Sequence, residues 1–298
     1  IHVLAQQDPQ FSQTRFAKVP INPGDAATSG SLCVTALYRN QWVGFPGAPT
    51  TPFLSADMPI VSLHGGIGLT LMNDKLGAFN FMHARGAYSY HKIVGATGLL
   101  GIGLELGILQ SSVGHNWLCP DGTNCDQDIS VPDFSIRRMT YDVGLGVYYR
   151  TDQLHVGISS SHLPAQSLKG PEFQYVAARH YYVLAGYDFF LSSQLTLRPS
   201  IHAKSDGAVT TSDFHCNLLY NNLIWAGASY RLQDAIVPMF GVVWKPDAKS
   251  TLKIGYAYDF GTSDLRGPSA DRYHSNTHEI MLNYCIKWNR PPKIQSHI

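Results

Sequence analysis

Leu100-Gly-Ile-Gly-Leu-Glu-Leu-Gly-Ile108 decides the architecture of this chain. Leu100, Ile102, Leu104, Leu106 and Ile108 fall at every second position, with Gly101, Gly103, Glu105 and Gly107 between them. Successive side chains of a strand point to opposite faces, so one face here is wholly aliphatic and the other is glycine with one carboxylate. The same period runs through Tyr141, Val143, Leu145, Val147 and Tyr149, through Leu252, Ile254, Tyr256, Tyr258 and Phe260, and through Ile280, Leu282, Tyr284, Ile286 and Trp288. About fourteen such runs follow one another from Ser31 to Trp288, near the roughly 9–11 residues of a membrane-crossing strand.

A soluble sandwich or barrel would turn a polar outer face to water. These runs pair an apolar face with glycine, charge and small residues, which suits a wall with lipid on one side and a lumen on the other. Connection lengths agree. Segments 151–153, 191–193, 221–222 and 245–249 are short, whereas 112–137, 162–178 and 261–276 are long. Short turns on one rim and long loops on the other is the outer-membrane pattern, with the short side periplasmic. The expected fold is therefore an all-β transmembrane antiparallel β-barrel of the outer membrane, about 14 strands, with both termini periplasmic. Tyr148, Tyr149, Tyr181, Tyr182, Phe189, Phe190, Tyr220, Trp225, Trp244, Tyr258 and Trp288 lie near strand ends and suit interfacial girdles.

Composition narrows the function classes. Charged residues are 14% of the 298, well under the usual quarter, while Gly is 27 and Tyr 16. Net charge is +1, so there is no basic stripe for nucleic acid. Mean hydropathy is −0.09, and no run approaches the roughly 20 apolar residues of a transmembrane helix. Residues 1–5 read as the end of a clipped export signal, with Val3 and Ala5 at cleavage-site positions. Residues 6–30 lack any period and form an arm or plug, 31–288 the barrel, and 289–298 a periplasmic tail. Of five cysteines, Cys119 and Cys125 share one loop and are candidates for a disulfide in an oxidising compartment. Cys33, Cys216 and Cys285 sit in strand runs and read as buried thiols.

Signals for chemistry are sparse. None of the 13 His has metalloprotease spacing, and there is no Gly-x-Ser-x-Gly elbow. His83, His155, His202 and His215 read as lumen-facing polar residues. Ser159, His155 and Asp142 could be arranged as a Ser/His/carboxylate set at the barrel wall, which spacing alone does not show. Asp121-Gly-Thr-Asn-Cys-Asp-Gln-Asp128 has spaced oxygen ligands but not the full calcium-loop pattern. His115, Cys119 and Cys125 lack a fourth zinc ligand. No cofactor is called for. Glu105, Asp142, Arg198, Lys253, Asp259, Glu279 and Lys287 give the lumen mixed signs, which points to a pairing network rather than a selective charge ring.

One loop stands apart. Arg39-Asn-Gln-Trp-Val-Gly-Phe-Pro-Gly-Ala-Pro-Thr50 is rich in Gly and Pro, carries a Trp, and follows the first strand, so strand parity sets it on the outer rim. It either folds into the mouth as a lid or holds a cargo domain outside.

Gln7-Asp-Pro-Gln-Phe-Ser-Gln13, Tyr38-Arg39, Gln41-Trp-Val-Gly44, Gly47-Ala-Pro-Thr50, Ser55-Ala-Asp57 and Asn73-Asp-Lys75, in that order, resemble the PorP/SprF family. These are outer-membrane proteins of the type IX secretion and gliding machinery of Bacteroidetes. Where the family tends to have Asn-Pro-Ala-Tyr-Ala-Gly, this chain keeps Asn22, Pro23 and Gly30 but not the Tyr. The resemblance implies a non-enzymatic component that supports export or surface anchoring of cargo. Its implied partners are periplasmic ring subunits, a peptidoglycan-binding lipoprotein, and secreted surface cargo or an adhesin, besides outer-membrane lipid. It also implies that Gln7, Asp8, Gln10 and Phe11 act on the arm, and Gln41, Trp42, Gly44, Gly47 and Pro49 in the loop. The competing class is a channel or transporter for a hydrophobic or nutrient solute, with the arm as its plug.

Overall fold

Each alternating run pairs antiparallel with the next, and the last pairs with the first. The computed structural model describes residues 2–3, 8–114, 136–169, 174–262, 264–266, 272–274 and 276–287. The wall strands are β1 (Ser31–Asn40), β2 (Thr50–Ile60), β3 (Gly65–Leu76), β4 (Phe79–Val94), β5 (Gly98–Val113), β6 (Ile136–Arg150) and β7 (Leu154–Ser161). They continue with β8 (His180–Tyr187), β9 (Leu195–Ser205), β10 (Thr210–Tyr220), β11 (Ile224–Arg231), β12 (Ala235–Trp244), β13 (Ser250–Gly261) and β14 (Thr277–Lys287). Ser31 pairs with Lys287 and Asn40 with His278, so β1 and β14 close a 14-strand barrel with no free edge.

The alternation resolves as the sequence requires. On β5, Ile102 is 51% exposed on the outside and Glu105 is 3% exposed within. The exposed outer face is lined by residues such as Leu104, Leu106, Leu145, Ile158, Ile236 and Phe240. No helix among the described residues is long and apolar enough to cross a membrane, so the strands carry the crossing.

Parity divides the aromatics differently from the girdle expectation. Tyr181, Phe189, Phe190, Tyr220 and Trp244 are exposed on the outside, but Tyr148, Tyr182 and Trp225 are buried in the lumen. Neighbours in sequence such as Tyr181 and Tyr182 must face opposite ways on one strand. Trp288 lies outside the described residues.

Two of the cysteines also differ from expectation. Cys33 and Cys285 are register partners on β1 and β14, with Cα atoms 4.1 Å apart, and form a disulfide across the closing seam. They are not free thiols because closure brings together two lumen-facing residues 252 apart in sequence. Cys216 is free but exposed rather than buried. Cys119 and Cys125, with His115 and the Asp121–Asp128 stretch, lie outside the described residues, as does the tail 289–298.

Ser31 and Lys287 meet at the short-turn rim. Ahead of Ser31, however, the chain climbs through the lumen toward the long-loop rim. There His2 and Val3 pair in parallel with Gln174 and Tyr175, in the connection between β7 and β8. The arm therefore runs inside the barrel instead of extending from its periplasmic end.

Candidate functional site

The lumen is occupied by residues 8–30, and this plug is the site. Pro20, Pro23, Gly24 and Gly30 prevent a continuous helix, leaving two short 3-10 turns at Thr14–Phe16 and Pro23–Asp25. Backbone polar groups freed in this way must find partners in the wall.

Near the long-loop rim the anchor is Asp8. Its carboxylate lies 3.0 Å from His162 Nε2, accepts from Tyr182 Oη at 3.1 Å, and stands 3.8 Å from Arg85. Its carbonyl accepts from Lys204 Nζ at 2.7 Å. His162, just past the end of β7, also places Nδ1 3.1 Å from Asp142, so the imidazolium bridges two carboxylates. Burial opposes charge on His162, but Asp8 and the hydrogen bonds to both carboxylates prevail and raise it to about 9. Burial likewise opposes charge on Asp8, yet His162, His180 and Arg85 hold its carboxyl well below the usual range.

At mid-lumen Ser12 and Gln13 cap Glu279, whose two oxygens accept from their backbone N–H groups at 2.8 Å each. Ser12 Oγ donates to Asp259 at 2.9 Å and accepts from Arg39 at 3.1 Å. Arg39 spans Asp259 (2.6 Å) and Glu279 (3.0 Å), and Arg231 joins Asp213 and Asp259, each at 3.1 Å. Gln10 donates to Asp213 at 2.7 Å. Phe11 packs on Phe53, with ring centroids 5.1 Å apart. A buried ion pair gains little net stability over apolar packing, but it fixes register because each charge must meet its partner.

Toward the short-turn rim Arg15 forks onto Asp188 at 2.9 Å. Lys18 donates to Tyr148 Oη at 2.7 Å, and burial lowers its pKa to about 8. Asn22 is fully buried; its Nδ2 donates to the carbonyls of Val147 and Ile158 at 3.0 and 3.1 Å, and its Oδ1 accepts from Gly24 N–H at 2.9 Å. Here the glycines of the deciding stretch acquire a purpose. A Cβ at Gly101, Gly103 or Gly146 would lie closer than 3.0 Å to Asn22, Pro23 or Gly24. The bare face of β5 and β6 is the imprint of the plug.

The structure gathers four of the named positions. Asp8 and Gln10 of the arm and Gln41 and Pro49 of the loop line one cavity of about 290 Å³ at the long-loop rim. Gln41 N–H donates to Pro49 O, closing the loop at its base. Gly47 O accepts from Gly77 N–H, and Val43 N–H donates to Asn276 O, so the loop is tied sideways to its neighbours. Trp42, at φ 52°, is half-buried, and Gly44 is exposed at φ 94°. Gln7 lies outside the described residues. Arg15, Arg85, His162 and Arg231 were not singled out from sequence, although Arg85 and Arg231 have inward parity; Ser12, Gln13 and Asn22 stood there only inside the family motif, with no role assigned.

Other candidate chemistry does not assemble. Ser159 Oγ donates to Ile21 O at 2.6 Å, and Asp142 is engaged by Arg85 and His162, so Ser159, His155 and Asp142 form no triad. Asp8, His83 and His162 bring ligand atoms within 4.8 Å of one another. Arg85 lies 2.9 Å from His83 Nδ1 and 3.3 Å from His162 Nε2, so positive charge already occupies that centre.

A closed barrel with a lipid-facing exterior and a plug registered by buried ion pairs defines an outer-membrane β-barrel protein. The family described as type IX secretion system membrane protein PorP/SprF matches residues 3–284, and the chain belongs to that family. No curated protein sequence matches. Among solved structures, the CymD monoaromatic hydrocarbon channel is 12% identical (TM-score 0.57), covering 92% of this chain and 93% of that one. The Pseudomonas putida toluene transporter TodX is 11% identical (0.54; 91% and 93%). The Ralstonia pickettii toluene transporter TbuX is 11% identical (0.53; 92% and 94%). At these identities the likeness is one of fold.

Proposed function

We propose that the protein is a non-enzymatic, plugged anchor of the type IX secretion machinery. It holds exported cargo at its long-loop rim and couples it to periplasmic ring subunits and a peptidoglycan-binding lipoprotein at its short-turn rim. The observation that carries this reading is the filled lumen. Ion pairs link Arg39, Arg231, Asp259 and Glu279 around Ser12, and the plug is pinned at three levels. A barrel braced in this way resists deformation and offers two rims in fixed relation, which suits a mechanical or docking part better than a solute path. The tied loop of Gln41–Pro49 suits a preformed outer surface.

Affinity purification of the tagged protein from outer membranes tests it. Type IX ring components or surface cargo are expected to co-purify. Recovery of barrel and lipopolysaccharide alone would overturn it. The channel reading draws support only from neighbours whose names are hydrocarbon channels and toluene transporters. Toluene uptake by proteoliposomes carrying the purified protein would favour it.

A further inference from the structure

Below the plug, at the short-turn rim, a second cavity of about 560 Å³ opens inside the barrel. Its acids are Asp25, Asp57, Asp152 and Asp188, and Asp188 is already held by Arg15 at 2.9 Å and Arg198 at 3.1 Å. Against them stand Lys18, Arg150, Lys245, Lys249, Lys253 and Lys287 in addition to those two arginines. None of Arg150, Lys245, Lys249, Lys253 and Lys287 has a carboxylate partner among the described residues. The cavity at the other rim is different: Asp8, Asp74 and Asp234 balance Arg39, Lys204 and Arg231. The lumen is thus polarised: charge-balanced in the upper cavity, and basic in the lower one, where five cations have no carboxylate partner among the described residues.

From this arrangement we infer that the lower vestibule is a docking site for an acidic peptide segment of a periplasmic protein. Three features set the class of ligand. The cations without carboxylate partners are strung along the mouth: Lys245, Lys249, Lys253 and Lys287 lie on or beside the neighbouring strands β12 to β14, and Arg150 ends β6 on the opposite wall. A row of charges spread over neighbouring strand ends fits several carboxylates along a chain, whereas one phosphate would need donors that converge on a single point. The lining also includes Phe16, Val19 and Trp225, so a segment carrying an apolar side chain gains contacts that a bare ion does not. Lys245 and Lys249, in the exposed turn between β12 and β13, and Lys287, at the end of β14, stand at the entrance and draw the segment in. This inference names the contact chemistry of the periplasmic coupling proposed above and rests on that reading for its biological partner.

The experiment uses the full chain in detergent micelles. The probe is a short fluorescein-labelled peptide of Glu with interspersed Leu, compared with the same peptide carrying Gln for Glu. The Glu peptide is expected to bind at least about tenfold more tightly at low salt, with the gap closing as screening shortens to a few ångströms. The triple variant Lys245→Glu, Lys249→Glu, Lys287→Glu, all at exposed rim positions, is expected to abolish the difference. Equal binding of the two peptides would overturn the inference. So would a triple variant that binds like the native protein, or displacement of the peptide by millimolar inorganic phosphate, which would make this a small-anion site. Co-purification from cells carrying the same triple variant separates the two readings. If the purified variant loses peptide binding but type IX components still co-purify, the vestibule is not their dock and the secretion reading stands. If the native protein brings down no type IX component yet binds the Glu peptide through the three lysines, the secretion reading fails and the vestibule assignment stands.

Discussion

Gly103→Ala measures how firmly the plug is seated. Gly103 faces the lumen from β5, and a Cβ there would lie closer than 3.0 Å to the backbone of Pro23 and Gly24. Backbone cannot rotate aside as a side-chain tip would, so the turn at Pro23–Asp25 must withdraw. Withdrawal breaks the two hydrogen bonds from Asn22 Nδ2 to Val147 O and Ile158 O. At about 0.5–1.5 kcal/mol each, with overpacking strain of about 1–3 kcal/mol as the alternative to withdrawal, the seated state loses about 1–3 kcal/mol. That corresponds to a roughly 5- to 140-fold rise in local opening. Hydrogen exchange by mass spectrometry in micelles reads it at the amides of Gly24, Asp25 and Ala26, which are bonded to Asn22 and Pro23. Gly86→Ala is the control: it lies on the exposed face of β4, and the nearest atom its Cβ would meet is 3.9 Å away. If Gly103→Ala exchanges no faster than Gly86→Ala at these amides, the plug does not press on the wall and the imprint argument is refuted.

Further outcomes are expected elsewhere in the lumen and at the seam. Arg39→Ala strands Glu279 and part of Asp259 in a buried site, and should cost about 3–5 kcal/mol, read as a lowered thermal midpoint in detergent. Glu279→Gln should destabilise the Ser12 and Gln13 contacts less, because the amide oxygen still accepts one of the two N–H bonds. Opening the Cys33–Cys285 bridge with reductant should lower urea resistance by about 5 kcal/mol at most, the chain-entropy value for so long a loop. Non-reducing peptide mapping that recovers Cys33 and Cys285 as separate thiols would contradict the seam. The contact of Asp8 with His162 should be pH-dependent. His162 is raised to about 9, so its contribution is full below its unfolded value near 6.5 and is lost as pH rises through about 9. Asp8 is lowered, so its contribution is present above its unfolded value and lost as pH falls through its folded one. Protection around Asp8, corrected for the intrinsic rise of amide exchange with pH, should therefore fall at alkaline pH by on the order of a hundredfold, and His162→Gln should remove that step.

The wall was legible because its determinants are local. Leu100 to Ile108 alternate whatever surrounds them, and strand pairing follows from runs joined by turns of a few residues. Loop lengths on the two sides, read in order, gave the rims. The loop at 41–49 was visible as an unusual composition, and inward charges such as Asp142, Asp259 and Glu279 were visible from parity.

That residues 6–30 could plug the barrel was legible; how they seat against the wall was not. The arm at 8–30 has no period, since its conformation follows the groups it meets and not its own repeat. Ser12 finds Glu279 across 267 residues, Asn22 finds Ile158 across 136, and Cys33 finds Cys285 across 252. No local pattern encodes such pairs; they exist only once closure sets β1 beside β14 and curves the sheet around the plug. The glycines of β5 show the division most plainly. Sequence alone determined that their face would be bare, because a two-residue period places every second side chain there. Only the tertiary structure decided why: the lumen had to leave room at Gly101 and Gly103 for the backbone of Pro23 and Gly24, pressed in from a segment nearly eighty residues away.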